Sequence, residues 1–257
     1  TALNTNTTGN NNTALGKDAM FHNTTGTNNT AVGESSLEGN TTASNNVAIG
    51  DSALKATTTG ADNTAVGTSA LLTSTTGSRN VAIGHGCLNN STTASDNTAI
   101  GRDCMFQNTT GASNTAVGES AMESNTTASN NSAFGFNAFK VNTTGADNVA
   151  VGAFALDANT TASENVAVGI NALSDNTTGA SNTAVGRMAL GNNTTASGNT
   201  GIGTDALFTN TTGANNTALG HNSMFDNTTG SQNVAVGENA LDANTTANNN
   251  TALGYNS

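Results

Sequence analysis

A pentapeptide that ends in glycine returns every seventeen residues along the whole chain. It reads Asn, then Thr or Val, then Ala, then an apolar residue and Gly in nearly every copy, and its glycines run from Gly16 to Gly254 without one deviation in spacing. A strict repeat of about this length is typical of a solenoid, in which each turn of chain stacks on the last. The sequence therefore predicts one repeat domain, residues 1–257, of about fifteen 17-residue coils.

Each coil is numbered here from the Asn of its pentapeptide, so that the Gly is position 5. Two short segments, Asn-Thr-Ala-Val-Gly and Asn-Thr-Thr-Gly, suit strands, and the residues between them suit corners. No piece between corners is long enough for a helix, and Gly and Asn recur more often than a helix interior tolerates. The expected fold class is all-β, a parallel β-solenoid.

Side chains alternate between the two faces of a strand, which separates position 3 from positions 2 and 4. We interpret the apolar positions 2 and 4 as inward, together with the small position 8 and the large apolar position 9, so that the Ala at position 3 faces outward. Phe134 and Phe139 are then expected to fill two large core columns of one coil.

The Asn at position 1 and the Gly at position 5 are present in all fifteen coils. The Asn at position 1 can form a ladder of side-chain amides between coils, and Asn also tolerates the left-handed backbone of a sharp corner. The Gly at position 5 is expected where the chain turns with positive φ. We interpret both columns as structural.

Columns of outward-facing residues whose residue type stays constant from coil to coil require an explanation outside the coil itself. Both residues of the Thr-Thr pair are Thr in every coil, and the Ala column departs from Ala only at Gly201, whereas other exposed positions vary freely. A close-packed neighbouring chain and an ordered water or ice lattice are the two alternatives. We expect the Ala column to line the axis of a homotrimer, with these candidate interface residues: Ala48, Ala65, Ala82, Ala99, Ala116, Ala150, Ala167 and Ala184.

The pentapeptide, as in Asn46-Val47-Ala48-Ile49-Gly50, resembles the repeating head strand of trimeric autotransporter adhesins. The full repeat, as in residues 108–118, resembles repeats of phage tail fibres and related bacterial surface fibres, and the resemblance covers the whole chain. It implies a left-handed β-roll, three chains about a common axis, and a rigid extracellular shaft or head on a cell surface or a virion. The chain is expected to be part of a longer fibre.

Charge and composition disfavour several other functions. With only six basic residues and a net charge of -11, the chain lacks the basic patch that nucleic acids or anionic membranes require. No apolar run is long enough to insert into a membrane. His22, His85 and His221 are too far apart along the repeat to form a triad or a zinc site. We therefore expect no enzyme, no cofactor and no metal.

The preferred function is a structural and adhesive rod of an extracellular fibre, a homotrimer that attaches to a host receptor or glycan of unknown identity. The alternative is an ice-binding solenoid that uses the outward Thr column, with the Asn at position 12 as a second column beside it. One exposed stretch is unusual: Phe136, Phe154, Ile170 and Met188 occupy positions 6 and 7 of four consecutive coils. We interpret them as a candidate contact strip for a partner, with simple surface packing as the alternative.

The two cysteines, Cys87 and Cys104, occupy the small position 8 of adjacent coils. Stacked rungs place their Cα atoms about 4.8 Å apart, within reach of a disulfide, but parallel Cβ vectors stay farther apart than a relaxed bridge prefers. We predict two free, stacked thiols.

Overall fold

The computed structural model describes all 257 residues and contains short strands and turns but no helix. Each repeat contributes one three-residue strand at positions 2 to 4. This confirms the parallel β-solenoid predicted from the repeat. The strands are β1 Thr13–Leu15, β2 Thr30–Val32, β3 Val47–Ile49, β4 Thr64–Val66, β5 Val81–Ile83, β6 Thr98–Ile100, β7 Thr115–Val117, β8 Ser132–Phe134, β9 Val149–Val151, β10 Val166–Val168, β11 Thr183–Val185, β12 Thr200–Ile202, β13 Thr217–Leu219, β14 Val234–Val236 and β15 Thr251–Leu253.

The chain divides into two compact units, Thr1–Asn130 and Asn131–Ser257. Strands β1 to β7 pair in parallel and in chain order in the first unit, and β8 to β15 do so in the second. Within each unit, the paired strand residues lie seventeen positions apart, as Ala48 and Ala65 do. Equivalent residues of successive coils therefore lie above one another in columns.

The Ala at position 3 faces the interior of the coil, so the assignment of faces predicted from the sequence is wrong. Ala48 and Ala99 are fully buried, whereas the adjacent Ile49 and Ile100 are 40% and 37% exposed. The column predicted to line a trimer axis therefore lies inside each coil and cannot contact another chain. Its members Ala48, Ala65, Ala82, Ala99, Ala116, Ala150, Ala167 and Ala184 are all 0% exposed.

The narrow interior at the strand explains this reversal. Where the column contains Gly201, an added methyl group would lie 3.3 Å from Cγ of Leu190 and 3.2 Å from the carbonyl oxygen of Ala206. A methyl group is thus the largest side chain that fits there, because tightly packed interiors do not accept extra volume. Alternation separates the two faces of a strand but does not say which face is inside.

Positions 8 and 9 form the core, as predicted. Leu54, Met105 and Phe139 at position 9 are fully buried. The expectation that Phe134 shares this core is wrong, since its side chain is 40% exposed on the outward side of β8. The position 9 residues have left-handed backbones, with φ of 51° at Leu54 and 53° at Phe139, a conformation that L-residues adopt at a cost of about 1 kcal/mol. The sequence gives no sign of this conformation.

Two ladders of buried Asn side chains run alongside the core. At position 1, Nδ2 of Asn63 donates to Oδ1 of Asn46 at 3.1 Å, and the backbone N–H of Asn63 donates to the same oxygen at 2.9 Å. At position 12, Nδ2 of Asn40 donates to Oδ1 of Asn23 at 2.7 Å. The predicted amide ladder is confirmed, but the residues at position 1 do not have left-handed backbones. That conformation occurs at positions 7, 9 and 17, as at Asp62 with φ of 60°.

The Asn-Thr-Thr-Gly segment is not a strand, contrary to the expectation from its sequence. The carbonyl oxygen of Thr75 accepts from the backbone N–H groups of both Thr58 and Thr59, at 3.0 and 3.3 Å. Because two donors of one coil share one acceptor of the next, this side of the coil lacks the evenly spaced ladder of a parallel sheet.

Cys87 and Cys104 are free thiols and are fully buried. Sγ of Cys87 donates to the carbonyl oxygen of Ala99 at 3.1 Å, and Sγ of Cys104 donates to that of Ala116 at 3.3 Å. Hydrogen bonding with Cys104, followed by burial, raises the pKa of the Cys87 thiol well above its ordinary value.

We expect the folded protein to be inert to a thiol reagent at pH 8, because both sulfur atoms are inaccessible and the raised pKa of Cys87 disfavours its reactive thiolate. Titration with the same reagent in denaturant, without reductant, is expected to find two thiols per chain. Finding none would show that the two coils are bridged.

Candidate functional site: an apolar sheet face and an acidic cleft

The outward side chains at positions 2 and 4 form a surface that we call the sheet face. Position 4 is Val, Ile, Leu or Phe in every coil, and position 2 is Thr, Val or Ser. Rungs of a parallel sheet are spaced about 4.8 Å apart, so each unit presents a closely spaced apolar column to solvent. The most exposed apolar members of the sheet face lie between 37% and 78% exposed: Leu15, Ile49, Ile83, Ile100, Phe134, Ile202, Leu219, Val234 and Leu253.

We predicted from the sequence that these residues lie in the core, although the residue types found in the columns indicate the opposite. Position 3 admits only Ala and Gly, whereas position 4 admits side chains as different as Val and Phe. A tightly packed interior restricts volume, and an outward surface does not. The restricted column was therefore the internal one.

The Thr-Thr pair supplies one exposed column. Thr at position 13 is half-buried, and its hydroxyl donates to the position 13 carbonyl of the next coil, as from Thr41 to Thr58 at 3.1 Å and from Thr177 to Thr194 at 3.0 Å. Thr at position 14 is exposed throughout. The Asn at position 12 cannot form the second column of an ice-binding surface, because residues such as Asn125 are fully buried.

The predicted contact strip is present on the second unit in a modified form. Phe136 and Ile170 are 46% and 55% exposed, while Phe154 and Met188 are half-buried. The ring of Phe154 meets that of Phe136 edge to face, with centroids 5.3 Å apart. Sδ of Met188 accepts from Nη1 of Arg187 at 3.2 Å. The apolar part of the strip therefore consists of Phe136, Phe154 and Ile170. The side chain of Met188 instead contacts the charged side chain of Arg187.

Phe154 and Ile170 form one wall of a surface cleft of about 520 Å³. Asp157 and Asp175 also line it, together with small residues that include Ala153. We call this the acidic cleft. It is built from positions 6, 7, 10 and 11 of two adjacent coils. The contact strip predicted from the sequence includes only two of its apolar residues, Phe154 and Ile170.

The carboxyl group of Asp157 is perturbed by its surroundings in the acidic cleft. Burial raises the pKa of Asp157 above its ordinary value, and the negative charge of Asp175 raises it further. A hydrogen bond from its own backbone amide lowers the pKa, as does the positive charge of Lys140 in the preceding coil, which is the weakest of the four influences. Ionisation of Asp157 in this cleft therefore costs free energy in the folded protein.

We expect Asp157→Asn to raise the melting temperature at pH 7. A carboxyl group whose pKa is raised by folding destabilises the folded state as pH rises from its unfolded value, near 4, through the higher folded value. At pH 7 that cost is fully present and the neutral amide removes it, whereas near pH 3 the carboxyl is protonated in both states. Thermal unfolding at the two pH values tests this: an equal gain at both would mean that charge is not the cause.

Compared with known proteins, the chain matches no family model, and no curated protein is similar to it in sequence. It contains no helix that is long and apolar enough to cross a membrane. No group of three or more His, Cys, Asp or Glu side chains is placed to hold a metal ion. The sheet face and the acidic cleft are the surfaces from which a function can be inferred.

Proposed function

We propose that the chain is a structural module of an extracellular adhesive fibre, in which copies pack side by side through the sheet face. The observation that carries this proposal is the apolar column at position 4, which no coil interrupts with a polar residue. Soluble monomers rarely expose a continuous apolar patch of this extent, and such patches mark interaction sites.

A second copy of the same chain suits this face better than an unrelated partner. Two copies have the same rung spacing, so that apolar side chains can meet at every rung. Positions 2 and 4 contain no charged residue in any coil, although the chain as a whole has a net charge of -11. Copies that carry this charge repel one another least when they meet at an uncharged face.

The number of copies and the location rest on the resemblance to surface and tail fibres. Those fibres are trimeric and extracellular, and they serve as rigid shafts or heads that mediate attachment. We extend these properties to the chain as part of the proposal, with the sheet face in place of the internal Ala column as the contact surface. Catalysis has no role in it.

Charge placed on the sheet face tests the proposal. We expect the triple variant Ile49→Asp, Ile83→Asp and Val117→Asp to sediment as a lighter species than the unmodified protein, because it places a carboxylate in β3, β5 and β7, three alternate rungs of the sheet face. Circular dichroism should show that the variant keeps the fold.

The repeat offers a matched control in the same three coils. Thr59→Asp, Thr93→Asp and Thr127→Asp add the same charge at exposed position 14, and this variant is expected to associate as the unmodified protein does. If both variants dissociate equally, overall charge rather than the sheet face governs association. If neither dissociates, the sheet face is not the contact.

Ice binding remains the rival function and is tested on the same samples. The exposed Thr at position 14 forms a single column, whereas an ice-binding face generally uses two parallel ones. We expect the unmodified protein to show no thermal hysteresis at sub-millimolar concentration. A clear freezing-point gap that the position 14 variant abolishes would favour ice binding instead.

A further inference from the structure

We propose that the acidic cleft of the second unit binds a small organic cation, an ammonium or guanidinium group attached to an apolar body. The cleft has a volume of about 520 Å³ and is open to solvent, so it suits a small ligand that keeps part of its surface in water. It combines an apolar wall with carboxylates on one surface of one unit.

The charge of the cleft favours a cation. Asp157 and Asp175 lie in adjacent coils, and the pKa of Asp157 is raised first by burial and also by the negative charge of Asp175. Lys140 acts on Asp157 more weakly than Asp175 does, and Arg187 pairs with Asp205 at 2.7 Å. A ligand cation held beside both carboxylates would offset the repulsion between them.

The apolar wall favours an organic cation over a metal ion. Ca²⁺ takes six to eight oxygen ligands, and Mg²⁺ requires nearly ideal octahedral geometry, whereas the side-chain oxygens that line the cleft are those of two carboxylates, Asn171 and Ser174. Phe154, Ile170 and Ala153 instead provide hydrocarbon surface for the body of the ligand. The ring of Phe154 can also attract a positive charge near its face.

The cleft does not depend on the proposed fibre contact. It is formed by positions 6, 7, 10 and 11, while the sheet face consists of positions 2 and 4, so a fibre packed through the sheet face leaves the cleft accessible. Loss of one surface by mutation therefore does not entail loss of the other.

Calorimetric titration of the full chain with phenethylammonium chloride at pH 7 tests the inference. We expect saturable binding of one cation per chain, and binding at least ten-fold weaker in the double variant Asp157→Asn and Asp175→Asn. The neutral 2-phenylethanol, which has nearly the same shape, is expected not to bind. Phe154→Ala is expected to weaken binding of the cation with both carboxylates in place.

The control variant is Asp226→Asn with Asp242→Asn, which removes two carboxylates from positions 11 and 10 of adjacent coils outside the cleft. Binding should be unchanged in this variant. Equal weakening in both double variants, or no saturable binding by the unmodified protein, would overturn the inference. N-acetyl-lysine methylamide serves as a second probe: tighter binding of this compound than of phenethylammonium identifies a peptide side chain rather than a free amine as the source of the cation.

Discussion

Gly152→Ala is expected to destabilise the second unit by about 4 kcal/mol. Gly152 has a φ of 132°, which L-residues rarely adopt. A Cβ atom there would lie 2.5 Å from the carbonyl oxygen of Gly169, 2.6 Å from its carbonyl carbon and 3.1 Å from the backbone nitrogen of Ile170. These atoms are all backbone atoms of the next coil, so the clash can be relieved only by separating the rungs. Urea unfolding followed by circular dichroism measures the loss.

Gly201→Ala is the matched control in the same unit. Gly201 lies in β12, where every other coil has Ala. Its added methyl group would lie 3.2 Å from the carbonyl oxygen of Ala206 and 3.3 Å from Cγ of Leu190, contacts that a shift of a few tenths of an ångström relieves. We expect a change within about 1 kcal/mol, in either direction. Equal losses in the two variants would contradict the account, because strain at position 5 would then not distinguish them.

Ala82→Asp is expected to cost at least about 3 kcal/mol in the free energy of unfolding of the first unit. Ala82 is fully buried between Ala65 and Ala99 in the neighbouring strands. A carboxyl group there has neither space nor a hydrogen-bond partner in an interior that admits only a methyl group. The loss should appear as a lower midpoint in urea or as failure to fold.

Ile83→Asp, at the next residue, is expected to leave the coil folded because Ile83 is 38% exposed on the sheet face. Its cost in the free energy of unfolding should be about 1 kcal/mol, from lost apolar contact with its neighbours in the column. Its effect should appear instead in weaker association between chains. If Ile83→Asp unfolds the protein and Ala82→Asp does not, the assignment of the two faces is reversed.

The period of the repeat determined much of the fold before the structure was known. A constant spacing of seventeen residues requires equivalent residues to stack, which predicted the parallel register, the buried Leu54 column and the amide ladder that includes Asn46 and Asn63. These features depend only on which residues share a column. Inward and outward faces depend in addition on the path of the chain through the corners.

The path of the chain is set by residues whose left-handed backbone conformation is not evident from the residue type. Leu54 and Asp62 adopt left-handed backbones without being glycine, and such corners decide whether position 3 or position 4 enters the coil. The same corners bring positions 6 and 7 beside positions 10 and 11, which is how Phe154 comes to share a cleft with Asp175 of the next coil. The sequence shows that the apolar residues of the contact strip lie in neighbouring columns of successive coils. It does not show that carboxylates from other columns lie beside them.

The molar mass of the unmodified chain in solution, measured by light scattering over a range of concentrations, tests most directly whether the chain is a self-associating fibre module. We expect a whole-number multiple of the 25.3 kDa chain mass, and the resemblance to trimeric fibres makes three the expected number of chains. We also expect this mass to fall toward that of one chain when the sheet face carries added carboxylates. A single 25.3 kDa species at concentrations well above micromolar would contradict the proposed self-association.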